Sequence, residues 1–275
     1  VKCFYHSVDL DGHCSGAIVK KKYPECEMIG LNYNDKFNWK KIKRGETVFM
    51  VDISLEPFKK MKKLNKMCNL IWIDHHITAI KEAEKNNFVA SKWQRLEVGK
   101  AGCELTFEEL YPNRKNETVR LLGRYDVWDH TKNVLEFQSG MWLYNTLPTN
   151  NKFWKKLLTF RSKNNVIEKI IGEGKLILEY KKQTNEKYVK NFGFETVFEG
   201  LNAICANKGM SNSLLFDSIY NDKFDILILF VFEKGMWKIT LFTKKNHIDV
   251  GTIAKKYGGG GHKKAAGFYC KKLPF

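Results

Sequence analysis

The sequence predicts an α/β protein: an N-terminal domain built on a mainly parallel sheet with helices on both faces, then a helical connector, then a smaller C-terminal α/β domain. Three observations lead there. Strand and helix patterns alternate over residues 1–132, the order that builds βαβ units. Residues 133–191 carry a helical pattern, and 192–275 return to short strands with one hairpin signal. The length allows two modest cores, and a 43% hydrophobic composition is that of a packed chain.

In the first domain the strand candidates are Lys2–His6, Glu27–Tyr33, Thr47–Ile53, Asn69–Ile73 and Phe88–Ser91, apolar and β-branched runs of strand length. Helices are expected at Gly12–Tyr23, Pro57–Lys66, Ile77–Lys85, Gly102–Tyr111 and Glu117–His130. Pro57 suits a first helical turn, where its missing N–H is no loss. Gly172–Lys190 reads as one long charged helix without Pro, suited to a rigid connector. In the last domain strands are expected at Phe194–Phe198, Leu201–Ala206 and Ala266–Cys270, with helices at Asn212–Tyr220 and Ile248–Tyr257. Phe224–Phe232 and Met236–Thr243 form a hairpin pattern around Lys234-Gly235.

Composition excludes several classes. No apolar run reaches the roughly 18 residues of a membrane span; the longest, Ile226–Phe232, reads as a buried strand. The chain opens on a strand pattern, so no signal peptide is expected. Seven cysteines without a CxxC argue against a zinc ribbon or disulfide framework and for a reducing cytoplasm. The formal charge of +17 attracts polyanions such as nucleic acid, although a Lys- and Asn-rich bias with only six Arg is also what an AT-rich coding sequence produces.

The chemistry sits where the strands end. Asp9 and Asp11 follow the first strand, Asp52 comes at the end of the Thr47–Val51 run of the third, and Asp74, His75 and His76 follow the fourth; His6 is the tip of the first. In a parallel sheet these carboxyl ends share one edge, where ligands bind. Each residue alone has an ordinary explanation: an Asp after a strand is commonly a helix cap or turn former. Together, crowded carboxylates repel, and a divalent cation removes that cost. Oxygen ligands mixed with imidazole suit manganese, with iron, cobalt or magnesium as alternatives, and a metal pair can clamp a phosphoryl group. Asp74 is better placed to orient a histidine than to bind a cation.

These residues resemble a known family. His6-Ser7-Val8-Asp9-Leu10-Asp11-Gly12, Val51-Asp52, Asp74-His75-His76 and Arg124-Tyr125-Asp126 are similar, in order, to the four motifs of the DHH phosphoesterases. Gly258-Gly259-Gly260-Gly261-His262 with Lys263-Lys264-Ala265-Ala266-Gly267 resembles the signature of the accompanying DHHA1 substrate domain. The resemblance implies a DHH domain over 1–132 and a DHHA1 domain over 192–275, and is nearest the oligoribonuclease type. It implies that His6, Asp9 and Asp52 hold one Mn²⁺, that Asp11, Asp52, His75 and Asp126 hold a second, and that His76 faces the scissile phosphate with Asp74 behind it. Asp126 gains its role only this way. Gly258, Gly259, Gly260, Gly261, His262 and Lys263 would bind substrate, with Lys244 standing where relatives carry an Arg. The loop Asn207–Ser211 is a further candidate border of that site.

The implied activity is hydrolysis of short linear oligonucleotides to mononucleotides. Alternatives of the same chemistry are a cyclic-dinucleotide or other signalling-nucleotide phosphodiesterase and a 3′-phosphoadenosine phosphatase. A silent nucleotide-binding sponge is the non-enzymatic alternative. A homodimer is compatible with all of them.

Overall fold

The computed structural model describes residues 1–33, 35–160 and 164–275, so positions 161–163 of the predicted helical stretch lie outside the described residues. The chain divides into two compact units, Val1–Ile177 and Leu178–Phe275.

The first unit carries a five-stranded, all-parallel sheet of β1 (Lys2–His6), β2 (Glu27–Leu31), β3 (Thr47–Val51), β4 (Asn69–Asp74) and β5 (Trp93–Leu96). Its order is β2-β1-β3-β4-β5. The central strands are buried on both faces, which is why they read as near-continuous apolar runs. On one face Phe4, Met50, Leu70 and Trp72 pack against Met61 and Leu64 of α2 (Lys59–Met67) and Ala79 and Ala83 of α3 (Ile77–Lys85). On the other, Tyr5, Phe49, Val51 and Ile73 meet Val19 of α1 (Leu10–Lys22) and Leu105 of α4 (Gly102–Leu110). A helical core extends from there through α5 (Glu117–Asp126), α6 (Val134–Met141), α7 (Asn151–Leu157) and the start of α8 (Asn165–Phe192). Phe107, Leu121, Phe137, Trp154 and Ile170 fill it. The segment from 133 onward thus packs on the N-terminal core, and the boundary between units falls inside α8.

Three expectations change here. The predicted strand Phe88–Ser91 is a loop, and the ladder starts at Trp93. Asn65 bonds the Val89 carbonyl and the Ser91 N–H, and Gln94 takes the Ala90 N–H, so side chains hold groups that a ladder would have used. The helix predicted to run to His130 stops at Asp126, because Trp128 turns left-handed at φ +63°. The helix predicted from Pro57 starts at Lys59.

The second unit is a mixed six-stranded sheet, ordered β10-β11-β9-β8-β7-β6. Its strands are β6 (Gly193–Phe198), β7 (Leu201–Asn207), β8 (Ile226–Glu233), β9 (Met236–Phe242), β10 (Gly260–Gly261) and β11 (Ala265–Cys270). The β8–β9 hairpin turns at Lys234 and Gly235, both at positive φ (+51° and +80°), the backbone a two-residue hairpin needs. One sheet face packs on α9 (Val250–Lys256), the other on Val189, Leu215, Phe216 and Phe224. The predicted helix Asn212–Tyr220 shrinks to one 3-10 turn, Ser213–Phe216, opened by an Asn212 side-chain cap. Such short polar side chains offer the backbone bonds that compete with a helix.

Candidate metal centre

Each candidate side chain is positioned by the end of an element. Asp9 caps α1: its Oδ1 accepts the Gly12 N–H at 2.8 Å, and its Oδ2 lies 2.6 Å from His6 Nδ1. Asp11 sits in the first turn of α1, buried, and accepts the N–H groups of Gly102 (2.8 Å) and Cys103 (2.7 Å). The first turn of α4 therefore aims its unpaired donors at this carboxylate. Asp52 follows β3 in a left-handed conformation, φ +58°, and is 1% exposed. Neither of its carboxylate oxygens accepts a backbone N–H among the described residues; imidazole nitrogens of His75 (3.2 Å) and His6 (3.7 Å) face them instead.

Asp74 ends β4 and is fully buried. Its Oδ1 accepts the backbone N–H of His75 (2.8 Å) and of His76 (3.1 Å), and His76 Nδ1 at 2.7 Å. Its Oδ2 accepts Trp72 Nε1 at 3.2 Å. A carboxylate so occupied holds the imidazole of His76 and has little left for a cation.

The structure gathers His6, Asp9, Asp11, Asp52, His75, His76 and Asp126 in one place. His75 Nε2 lies 3.2 Å from Asp52 Oδ1, 3.3 Å from Asp126 Oδ2 and 3.6 Å from Asp11 Oδ2. The other Asp52 oxygen lies 3.7 Å from His6 Nδ1. Potential ligand atoms fall within 4.8 Å of one another in three groups: His6, Asp9 and Asp52; Asp11, His75 and Asp126; Asp52, His75 and His76. These residues can hold metal ions. The mixed carboxylate and imidazole set, and a buried Asp52 that accepts no backbone N–H, fit a divalent cation.

Electrostatics agree. Burial by itself would lower the imidazole of His6, but Asp52 and Asp9 outweigh it and push it up to about 10. Burial likewise opposes, and Asp74 overcomes it, to bring His76 to about 9; His75 is raised, chiefly by Asp52 against burial. Asp126 is pushed up to about 6 by burial and the Asp52 charge, and Asp11 is raised well above the usual carboxylate range by burial and its three acidic neighbours. Burial would raise Asp52 too, but His6 and His75 hold it below that range. The pocket therefore seeks positive charge, which protons or cations supply.

Sequence reasoning missed two parts of this site. A Cβ on Gly102 would lie 2.7 Å from the Asp52 Cβ, so the α4 backbone is packed against that side chain. Tyr33 walls the pocket, its ring 5.5 Å from that of His6 and 5.9 Å from that of His76. A glycine opening a helix was the only signal for the first; nothing signalled the second.

In the second unit the glycine run has structural duties. Gly258, φ +77°, ends α9: its N–H bonds Lys255 O, and the Gly259 N–H bonds Ala254 O, a Schellman closure. A Cβ on Gly259 would lie 2.1 Å from Gly267 O, and one on Gly261 2.5 Å from Ala266 Cα, whereas Gly260 is open. His262 and Lys263 form the exposed tip of the β10–β11 hairpin. Lys244 Nζ is engaged by Asp217 at 2.8 Å and lies over the Tyr220 ring. The loop Asn207–Ser211 opens from a different strand than the glycine run. It leaves β7, four strand spacings from β10, about 19 Å across the sheet. Lys208 there contacts Asn185 and Tyr188 of α8 instead.

Comparison with known proteins adds the following. No family model matches the chain. It is 24% identical to the uncharacterised protein R106 of Acanthamoeba polyphaga mimivirus over 88% of its own length, and spans 56% of that relative. It is 24% identical to the oligoribonuclease NrnB of Bacillus subtilis, over 96% of this chain and 71% of that protein. Two solved structures share the fold. One is the DHH domain of a member of a ribosomal-protein family (TM-score 0.58, 13% identity, 97% of this chain and 81% of that one). The other is the pGpG-specific phosphodiesterase PggH of Vibrio cholerae (TM-score 0.54, 14% identity, 98% and 92%).

Proposed function

We infer that this chain, which has the fold of the DHH phosphoesterases, is a metal-dependent phosphodiesterase that hydrolyses short linear oligonucleotides to mononucleotides. Asp52 carries the reading: a buried carboxylate whose two oxygens accept no backbone N–H and face imidazoles of different groups of ligand atoms. In this reading His6, Asp9 and Asp52 would hold one Mn²⁺, and Asp11, Asp52, His75 and Asp126 would hold another. Two such ions would supply Lewis-acid stabilisation for displacement of a phosphate ester by water. The chain supplies the rest. Asp52 would contribute one oxygen toward His6 and the other toward His75. The α4 N–H groups orient Asp11. Asp74 fixes the His76 ring through Nδ1, leaving Nε2 to donate a hydrogen bond to the scissile phosphate.

In the second unit His262 and Lys263 would bind substrate phosphate beside the open Gly260 backbone. Lys244 would join them only by exchanging Asp217 for phosphate. The likeness to NrnB favours linear oligonucleotides, and the likeness to PggH favours a linear dinucleotide within that class.

The test is a substrate panel with Mn²⁺: linear dinucleotide, labelled pentamer, cyclic dinucleotide, 3′-phosphoadenosine phosphate and a long single strand. The dinucleotide and pentamer should be consumed fastest. Preference for the cyclic substrate or the bisphosphate would replace the substrate assignment, and tight binding without hydrolysis of any would replace the enzyme by a sponge.

A further inference from the structure

Two helices of this chain end with the same pair of backbone bonds and different residues. At the end of α9 the left-handed position is Gly258, which takes it without steric cost. At the end of α5 the Trp128 N–H bonds Tyr125 O at 3.1 Å and the Asp129 N–H bonds Arg124 O at 2.8 Å. The left-handed residue there is Trp128, φ +63°. A large aromatic side chain is among the least suited to that backbone, and strained positions of this kind concentrate at functional sites.

The ring so placed is 61% exposed. It is the outer member of a ladder. Tyr125 packs on the helical core, His130 stacks on Tyr125 (centroids 5.3 Å, planes 24° apart), and Trp128 lies against His130 (5.7 Å, 32°). The loop beneath is tied down: Arg124 bonds Asp129 Oδ2 at 2.9 Å and Thr131 Oγ1 at 3.0 Å. Asp126, two residues before Trp128, lies 3.3 Å from His75 in the metal centre. A stack rooted in the core and ending in an exposed indole therefore flanks, along the chain, the Asp126 that reaches the place where phosphate chemistry is proposed.

We propose that Trp128 is the platform on which a nucleobase of the substrate stacks, that of the nucleotide flanking the phosphate held at the Asp52 centre. This rests on the phosphodiesterase reading above. A base offers a π face whatever its identity, so the contact tolerates sequence and favours the larger purine surface.

The test compares Trp128→Ala, Trp128→Gly and Trp128→Phe in the full chain. Affinity is measured for a dinucleotide with a phosphorothioate linkage, and KM and kcat for the ordinary one. Loss of the ring should weaken binding and raise KM about 5- to 100-fold, the range one base–aromatic stack supports, with kcat changed far less. Trp128→Phe should restore most of the affinity, and Mn²⁺ content should not change. Trp128→Gly should melt no lower than wild type, since glycine relieves the left-handed residue; a merely structural ring would give a clear drop. Unchanged affinity in the Ala and Gly variants overturns the platform, as does a changed oligomeric state with unchanged affinity, which would make the ring a protein contact. If wild type binds the dinucleotide without hydrolysing it, the enzymatic reading fails while the affinity ratio still judges the platform. If wild type binds no nucleotide, both fail.

Discussion

Asp52 and Asp74 are both buried aspartates at strand ends, yet their surroundings give them opposite tasks. Asp74 accepts four hydrogen bonds and is spent on holding His76; Asp52 accepts no backbone N–H and meets imidazole nitrogens of His6 and His75. Asp52→Asn should therefore lower bound Mn²⁺ at least tenfold and abolish turnover while the far-ultraviolet spectrum stays native; retained metal would refute the shared-ligand role. His76 gives a pH dependence. Its folded value, about 9, lies above the unfolded value near 6.5, so the Asp74 pair stabilises the metal-free fold fully below about 6.5. That contribution is lost as pH rises through about 9, and His6, at about 10, acts in the same sense. The urea midpoint of metal-free protein should fall from pH 6.5 to 9, and Asp74→Asn should flatten the fall; an unaltered slope would count against the Asp74 assignment. The strand-end residues were legible in the sequence because each follows a run whose period is local. That Asp74 orients a histidine was read there too; the donors that occupy it were not, because groups such as Trp72 Nε1 are recognisable only once the chain is folded.

At the scale of elements, α4 is the part that sequence reasoning placed but could not aim. Its first turn grips Asp11 and its glycine backs onto Asp52. Gly102→Ala would push a methyl to within 2.9 Å of Asp52 Oδ1, so metal affinity should fall about 10- to 100-fold with helix content intact. Wild-type affinity, measured by titration calorimetry, would show that the Asp52 side chain has room to move. The glycine run divides similarly. Gly259→Ala meets a carbonyl at 2.1 Å and should cost about 1–3 kcal/mol of stability, whereas Gly260→Ala meets nothing and should fold like wild type. A raised KM in Gly260→Ala at unchanged melting temperature would mark backbone that a substrate approaches. Periodicity located the helix before these glycines and the strand after them. The β10 pairing and the Schellman closure were invisible, since both depend on which backbone groups β11 and α9 bring within reach.

For the whole molecule, the +17 charge would make any binding of polyanions salt-sensitive. Affinity for a phosphorothioate pentamer should fall with salt, and His262→Ala with Lys263→Ala should raise KM, leave Mn²⁺ content unchanged and lessen the salt slope by about one; an unchanged slope would remove Lys263 from the phosphate contacts. Among the described residues no helix is long and apolar enough to cross a membrane. What the sequence by itself determined is the α/β alternation, the parallel first sheet and the strand-end residues around Asp74-His75-His76, because hydrophobic period and strand direction are written in consecutive residues. Only the tertiary structure decided that residues 133–177 pack on the first core, that the first turn of α4 aims its N–H groups at Asp11, and that Asp52, unlike Asp74, accepts no backbone N–H. The physical reason is one of range: a period is set by neighbours in the chain, whereas burial, charge balance and unmet hydrogen bonds are set by neighbours in space.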